Sequence, residues 1–317
     1  MYSRIVGTGS YLPEKVLSNF DLEKMMETTD EWIRDRTGIE RRHIAADGET
    51  TVDLAEKAAR QALEAAGISP SEVDFIAFGT TTPDLIFPNC GVLLQERLGC
   101  RGGPAFSVET ACTGFIYALS IADKYVKCGE AKCALVIGAE TLSRITDWKD
   151  RGTAVLFADG AGVVVLKPSA EPGIVSTHLH ADGAYSSLLY CGAGVSKGLN
   201  VPPVIKMSGN EVFKVAVTKL GQAVDEALAA NNLQKSEIDW LVPHQANNRI
   251  IQAMARKLEM PMERVIVTVQ DHGNTSAASV PLALDVGVRD GRIQRGQLVL
   301  LESFGGGFTW GSALIRF

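Results

Sequence analysis

Short, almost wholly apolar runs punctuate this chain, among them VDFIAFG from Val73, CALVIGA from Cys133, AGVVVLK from Ala161 and QLVLLESF from Gln297. Such runs, bounded by turn residues, predict strands buried on both faces, and a sheet of that kind needs helices on both sides. Between them lie segments in which Ala and Leu recur at helical spacing, so the pattern as a whole is α/β.

The pattern also repeats. Ala62 to Ile76 (ALEAAGISPSEVDFI) aligns without a gap on Ala227 to Leu241 (ALAANNLQKSEIDWL) at an offset of 165. Each copy reads as a helix, a polar turn and a buried strand opened by Asp. At the same offset Ala118-Leu119 matches Ala283-Leu284, and ALVIG at Ala134 matches VLLES at Val299. Phe157 to Leu166 and Phe308 to Phe317 both place a Gly three residues after Phe and end in a strand. The expectation is a duplicated unit stacked in five layers, α/β/α/β/α, with two pseudo-twofold-related halves, residues 1–170 and 171–317, meeting near Ser169 to Gly173. A site on the pseudo-twofold axis would draw on both. The least regular stretch, Asp182 to Pro203, reads as an excursion over a surface or pocket mouth.

Composition narrows the picture a little further. A chain of 317 residues with 46% apolar content buries a substantial core, which sets disorder aside. A net charge of -6 argues against a general nucleic-acid surface. No cleavable leader pattern opens the chain and no run approaches a membrane span, so the expectation is a soluble, cytoplasmic protein. Six cysteines without a C-x-x-C pair are expected to be reduced, with neither disulfides nor a metal site. His178-x-His180 lacks companions that would complete a metal cluster.

Three polar residues are candidates for chemistry. Cys112 lies where a strand-like approach (FSVETAC) gives way to a long helical pattern, and a thiol at a helix N-terminus is expected to have a lowered pKa. Taken alone, it reads more readily as a small buried apolar residue, the commoner fate of a cysteine. His244 ends the second copy's strand in DWLVPHQANNR, where the first copy has Gly79; a locally hydrogen-bonded histidine is the plainer reading. Asn274 sits in DHGNTSAASVPLALDV just before a helical pattern, as an N-cap would. The run ESFGGGFTWG lets backbone N–H groups approach a ligand or simply makes a tight turn; the spacing of a phosphate loop is missing.

Taken together, TACTGF, PHQAN, HGNTSAAS and FGGGFTWG, in that order, resemble the β-ketoacyl-acyl carrier protein synthase III family, and IVGTGSYLPE, DEWIRDRTGIERRHIA and FADGAGVVVL extend the resemblance over the whole chain. The resemblance implies a thiolase-like fold, and a Cys-His-Asn set in place of the Cys-His-His of chain-elongating synthases. It implies an acyltransferase that condenses an acyl-CoA with malonyl-acyl carrier protein through an acyl-Cys112 intermediate, initiating fatty acid synthesis. No cofactor beyond these substrates is implied. A relative using a longer or aromatic starter in secondary metabolism, or a non-catalytic acyl binder, is the alternative.

By the same resemblance Cys112 and Gly306 would supply oxyanion-hole N–H groups, and Thr28, Trp32, Arg36, Arg151 and Asn247 would hold CoA. Phe87, Leu142, Phe157, Leu189, Ile205 and Met207 would line the acyl pocket, with Phe87 crossing a homodimer interface. Lys214, Gln245, Arg249, Arg256 and Lys257 would meet the acidic carrier protein. Without it, Trp32 is as well a helix anchor, the basic residues a solvated helix face, and the apolar set plain core. Val108-Glu109-Thr110-Ala111, where smaller residues are expected, and the Tyr185 to Pro203 loop depart from the family pattern and bear on starter length.

Overall fold

A computed structural model describes residues 1–197 and 200–317, with the side chain of Lys197 outside the description. In the first half the order is β1 (Tyr2–Tyr11), β2 (Lys15–Ser18), α1 (Asn19–Glu23), α2 (Asp30–Thr37), β3 (Arg41–Ile44), α3 (Thr51–Ala66), β4 (Phe75–Gly79), α4 (Cys90–Leu98), β5 (Ala105–Val108), α5 (Gly114–Lys127), β6 (Ala134–Thr141), α6 (Arg151–Ala154) and β7 (Asp159–Ser169). The second continues with β8 (Ile174–Ala181), β9 (Leu189–Cys191), β10 (Ile205–Met207), α7 (Gly209–Ala230), β11 (Trp240–Pro243), α8 (Asn248–Lys257), α9 (Val269–His272), α10 (Ser279–Arg289), β12 (Leu298–Gly305) and β13 (Thr309–Arg316).

The internal repeat predicts the topology closely. One sheet has the order β1-β7-β6-β4-β5 and the other β8-β13-β12-β11, so β1, β7, β6 and β4 correspond to β8, β13, β12 and β11. Directions match as well: β4/β6 and β11/β12 are parallel, while β6/β7, β7/β1, β12/β13 and β13/β8 are antiparallel. Among the described residues the second sheet has no full counterpart of β5; there Leu241 makes a single parallel bridge to Val265.

Helices α3 and α4 cover one sheet, α7 and α8 the other, and α5 and α10 lie between the sheets, which completes five layers. Strands such as β4 and β6 are buried at every residue, as strands covered on both faces must be. Close approach in the middle layer is made possible by glycine. A Cβ on Gly79 would come within 2.4 Å of the Gly114 carbonyl carbon, and one on Gly138 within 2.1 Å of the Ala277 oxygen.

The stretch read as an excursion, Asp182 to Pro203, contains β9, which pairs with β10 just beyond it and lies against the C-terminal glycines, a Cβ on Gly306 standing 3.0 Å from the Leu189 oxygen. Leu188 O accepts from Ser208 N at 2.8 Å. Gly198 and Leu199, within that stretch, lie outside the described residues.

Candidate active site

Cys112 occupies the middle of a tight turn, Ala111–Thr113, between β5 and α5. Ala111 has a φ of 46°, a left-handed conformation that L residues seldom adopt, and it turns the chain sharply so that the thiol meets the start of α5. Neither α5 nor α10 has a side-chain N-cap, so both begin beside the site with their first N–H groups uncapped by side chains. From the opposite half, β12 presses against this turn. Ser303 Oγ donates to the Cys112 carbonyl at 2.7 Å, and Gly305 lies so near that a Cβ there would stand 2.7 Å from Cys112 N.

His244 follows β11, its N–H held by the Glu302 carbonyl at 2.8 Å. Its Nδ1 is 2.6 Å from Ser279 Oγ at the start of α10. The same oxygen accepts from Gln245 N at 3.4 Å; with the serine hydroxyl assigned as the donor to Nδ1, the imidazole proton sits on Nε2. Asn274 is clamped at its backbone: N donates to Leu156 O and O accepts from Ala158 N, both at 2.9 Å. Its Oδ1 accepts from Ser276 N at 2.9 Å, which orients the amide and leaves Nδ2 as a free donor. The three predicted residues converge on one cavity of about 310 Å³, together with Phe157, Leu189, Met207, Phe304, Ala216 and Leu220.

Electrostatics at the site run against one expectation. Burial pushes the Cys112 thiol up to about 12, Glu140 adding to the rise and a hydrogen bond with Ser276 opposing it. The helix-terminus argument predicted the reverse; it omitted the cost of holding a thiolate in an enclosed site. Burial likewise takes His244 down to about 3, so the imidazole is neutral.

At the cavity mouth Trp32 lies between two guanidinium groups, Arg36 at 4.7 Å and Arg151 at 4.5 Å from its ring centre. Trp32, Arg36 and Asn247 line the cavity; Arg151 reaches the mouth only through Trp32, and Thr28 stands outside the wall. Asn247 caps α8 and donates to the Arg36 carbonyl at 2.9 Å, joining the two halves across the mouth. Gly306 is partly exposed beside Leu189 and Ala111.

Several expectations need correction. Gln245 is not a surface residue: it is 1% exposed, donates to the Pro243 and Ile266 carbonyls and accepts from Thr268 and Val269 N–H. It therefore braces the loops around His244 and is closed to a protein partner. Leu142 and Ile205 are buried in the same core cluster as Val155, Leu156 and Phe157 but, unlike those three, do not line the cavity. Phe87 is 83% exposed, with Leu85 and Ile86 beside it. Lys214, Arg249 and Arg256 are exposed, whereas Lys257 is engaged by Asp225 at 2.6 Å. Sequence reasoning missed Glu140, Ser276 and Ser279, of which only Ser276 and Ser279 fell within a recognised motif.

A Cys, a neutral His and an oriented Asn meeting between the halves of a duplicated five-layer fold define an acyl-transferring condensing enzyme of the thiolase type. Comparison with known proteins gives the family. The description 3-Oxoacyl-[acyl-carrier-protein (ACP)] synthase III matches residues 106–183, and that of its C-terminal part matches residues 228–317. The Beta-ketoacyl-[acyl-carrier-protein] synthase III of Thioalkalivibrio sulfidiphilus is 62% identical over 100% of this chain and 99% of that protein; that of Alkalilimnicola ehrlichii is 63% identical with the same coverage. The crystal structure of 3-oxoacyl-[acyl-carrier-protein] synthase III from Aquifex aeolicus superposes with a TM-score of 0.95 at 46% identity, covering 99% of this chain and 100% of that one. The chain belongs to the β-ketoacyl-acyl carrier protein synthase III family.

Proposed function

We propose that this enzyme joins an acyl group taken from acyl-CoA to the two-carbon unit left when malonyl-acyl carrier protein loses carbon dioxide, the initiating condensation of fatty acid synthesis. The observation that carries this reading is the convergence of Cys112, neutral His244 and the oriented Asn274 amide on one cavity. Relatives of 60–63% identity over the whole chain support the fatty acid reading over one in secondary metabolism.

Cys112 sulfur attacks the thioester carbonyl and expels CoA, with the N–H groups of Cys112 and Gly306 receiving the negative oxygen. The malonyl thioester then enters the same cavity. Its carbonyl oxygen accepts from His244 Nε2 and Asn274 Nδ2, which stabilise the enolate as carbon dioxide departs. Decarboxylation generates the carbanion without removal of a carbon-bound proton, so two neutral donors serve better than a base. The enolate carbon attacks acyl-Cys112 and releases the β-ketoacyl thioester.

The CoA base stacks on Trp32 by taking the place of one of the two guanidinium groups now over its ring, Arg36 and Arg151, and Asn247 and Thr28 complete the mouth. Phe157, Leu189 and Met207 bound the acyl chain. Lys214, Arg249 and Arg256 meet the acidic carrier protein, and the exposed Leu85, Ile86 and Phe87 make a homodimer contact. Residues 1–170 and 171–317 are read as the two halves, and the cytoplasm as the compartment where both substrates occur. No helix among the described residues is long and apolar enough to cross a membrane.

The test supplies acetyl-CoA and malonyl-acyl carrier protein to the wild type and to Cys112→Ala, following β-ketoacyl product by mass. Product from the wild type alone is expected; none with any acyl-CoA starter would overturn the reading.

A further inference from the structure

Asn274 can serve the enolate only while its amide keeps one orientation, which is set by Ser276 N donating to Asn274 Oδ1 at 2.9 Å. The residue that supplies this N–H is itself strained. Ser276 has a φ of 50°, a left-handed conformation that suits glycine and is unfavourable for a residue with a Cβ. Relaxation would turn the chain about the Ser276 N–Cα bond. The segment that follows cannot yield, because Ala277 O is pressed so closely on β6 that a Cβ on Gly138 would stand 2.1 Å from it. The movement would therefore fall on the Ser276 N–H and on the amide it orients.

Ser276 is held against this by Glu140, which stands near the end of β6 and is fully enclosed. Glu140 Oε1 accepts from Ser276 Oγ at 3.0 Å and from Thr81 Oγ1 at 3.1 Å. Its Oε2 accepts from Thr80 Oγ1 at 3.1 Å, Thr81 N at 3.0 Å and Thr82 Oγ1 at 2.6 Å. Hydrogen bonds to a carboxylate are stronger than neutral ones, so the serine hydroxyl is firmly engaged. Four of the five donors lie in the loop after β4, where Thr80 Oγ1 also accepts from Thr82 N at 3.1 Å and Thr82 Oγ1 from Thr141 N at 2.9 Å. The carboxylate is thus anchored and cannot follow a moving hydroxyl.

The duplication sets this contact apart. At the offset of 165, Ser276 matches Ala111, also left-handed with a φ of 46°, and Glu140 matches Gly305. The first half makes the equivalent turn with neither hydroxyl nor carboxylate, and there Ser303 Oγ holds the chain through the Cys112 carbonyl. The Ser276 and Glu140 pair is an addition to the half whose turn carries Asn274.

We propose that Glu140 is a positioning residue for Asn274. It pins the Ser276 hydroxyl, so that Ser276 N–H stays on Asn274 Oδ1 and Nδ2 stays directed at the malonyl carbonyl oxygen. Neither residue makes or breaks a bond of the substrate. The catalytic consequence rests on the proposed decarboxylation, but the hold on Ser276 does not.

The test compares two variants that lose the same hydroxyl. Ser276→Ala keeps a Cβ at positive φ, whereas Ser276→Gly adopts that conformation freely. Release of carbon dioxide from malonyl-acyl carrier protein is followed in a Cys112→Ala background, where no thiol at the site takes part. Ser276→Ala is expected to slow release by roughly tenfold, part of the 10²-fold that a shift of about 1 Å can cost. Ser276→Gly should rescue it to within about threefold of the parent. With Asn274 also replaced by Ala there is no amide to orient, and Ser276→Ala should then add less than about twofold. Glu140→Ala should match Ser276→Ala in the parent and add less than about threefold to Ser276→Gly, which needs no pin. Melting reads the hold without chemistry: Ser276→Ala should melt below Ser276→Gly by about 2 °C or more.

Equal losses in the Ala and Gly variants would overturn the proposal, because the hydroxyl itself and not the conformation it holds would be what the reaction needs. An unchanged rate in Ser276→Ala would overturn it too, as would the same loss from Glu140→Ala in both Ser276 and Gly backgrounds. Should Glu140→Ala not fold, the two Ser276 variants decide. If the parent releases no carbon dioxide while the melting order holds, the decarboxylating reading fails and the hold on Ser276 stands.

Discussion

Replacing Gly305 by Ala is the sharpest perturbation of the way β12 holds the nucleophile. The new Cβ would stand 2.7 Å from Cys112 N, and 3.2 Å from both Cys112 Cβ and Thr113 N. Carbon contacts relax near 3.5 Å, so the turn must retreat by roughly 0.8 Å. It cannot do so freely, because Ser303 Oγ holds the Cys112 carbonyl and Thr113 Oγ1 meets Thr309 Oγ1 at 2.7 Å. Overpacking of this kind costs about 1–3 kcal/mol, which lowers the melting temperature by several degrees in a chain of this size. The functional effect should be larger than the stability effect, since displacing a reacting atom by about 1 Å costs on the order of 10²-fold. Single-turnover mass spectrometry with acetyl-CoA gives the acylation rate, and calorimetry the stability. Decarboxylation of a malonyl thioester, which relies on His244 and Asn274, should be largely retained. Wild-type acylation and melting in the Gly305→Ala protein would refute the argument that this contact fixes the thiol.

Other consequences follow from the same geometry. Asn274→Ala removes one of two enolate donors and should slow malonyl decarboxylation by roughly 10²–10³-fold, while acyl-Cys112 still forms; measured release of carbon dioxide checks this. Because His244 titrates near 3, the decarboxylation profile should show no inflexion from it between about pH 5 and about pH 8, and one that vanishes in His244→Asn would contradict the neutral-donor role. Both Glu302 carboxylate oxygens are buried without a hydrogen-bond partner among the described residues, and burial raises this group from 4.5 to about 8. The folded form therefore keeps a proton that the unfolded form loses, so its stabilising contribution is complete below 4.5 and fades as pH rises towards 8. Glu302→Gln should narrow the gap in melting temperature between acid and mildly alkaline solution, and an unchanged gap would refute the shift. Trp32→Ala removes the ring between Arg36 and Arg151 and should weaken CoA thioester binding by roughly tenfold with little change in the rate at saturation, as KM and kcat would report.

Much of the fold was legible because duplication makes each half a check on the other. The gapless match of Ala62 to Ile76 with Ala227 to Leu241 anticipated α3-β4 and α7-β11, and strand patterning anticipated two sheets covered on both faces. The convergence of Cys112, His244 and Asn274 was legible from motif order. What was not legible depends on environment. The thiol's position before α5 suggested an acidic group, but enclosure outweighs the helix terminus there. Gln245 sits two positions before the cap of α8, in a polar stretch that reads as surface; only the fold shows its amide serving four backbone groups. Leu142 and Ile205 are apolar like Phe157 and Leu189, and no periodicity separates the cavity wall from the rest of the core. Glu140 ends an otherwise apolar strand, and its five donors come from two segments far apart in sequence.

The central claim is that one cysteine carries the acyl group between two uses of one cavity. The direct measurement loads the enzyme with isotopically labelled acetyl-CoA, removes free CoA, maps the label, and then adds malonyl-acyl carrier protein. The account predicts label on Cys112 alone, discharged into a β-ketoacyl thioester in the wild type and retained on Cys112 in His244→Ala and Asn274→Ala. Label on another residue, or product formed without passage through Cys112, would contradict it.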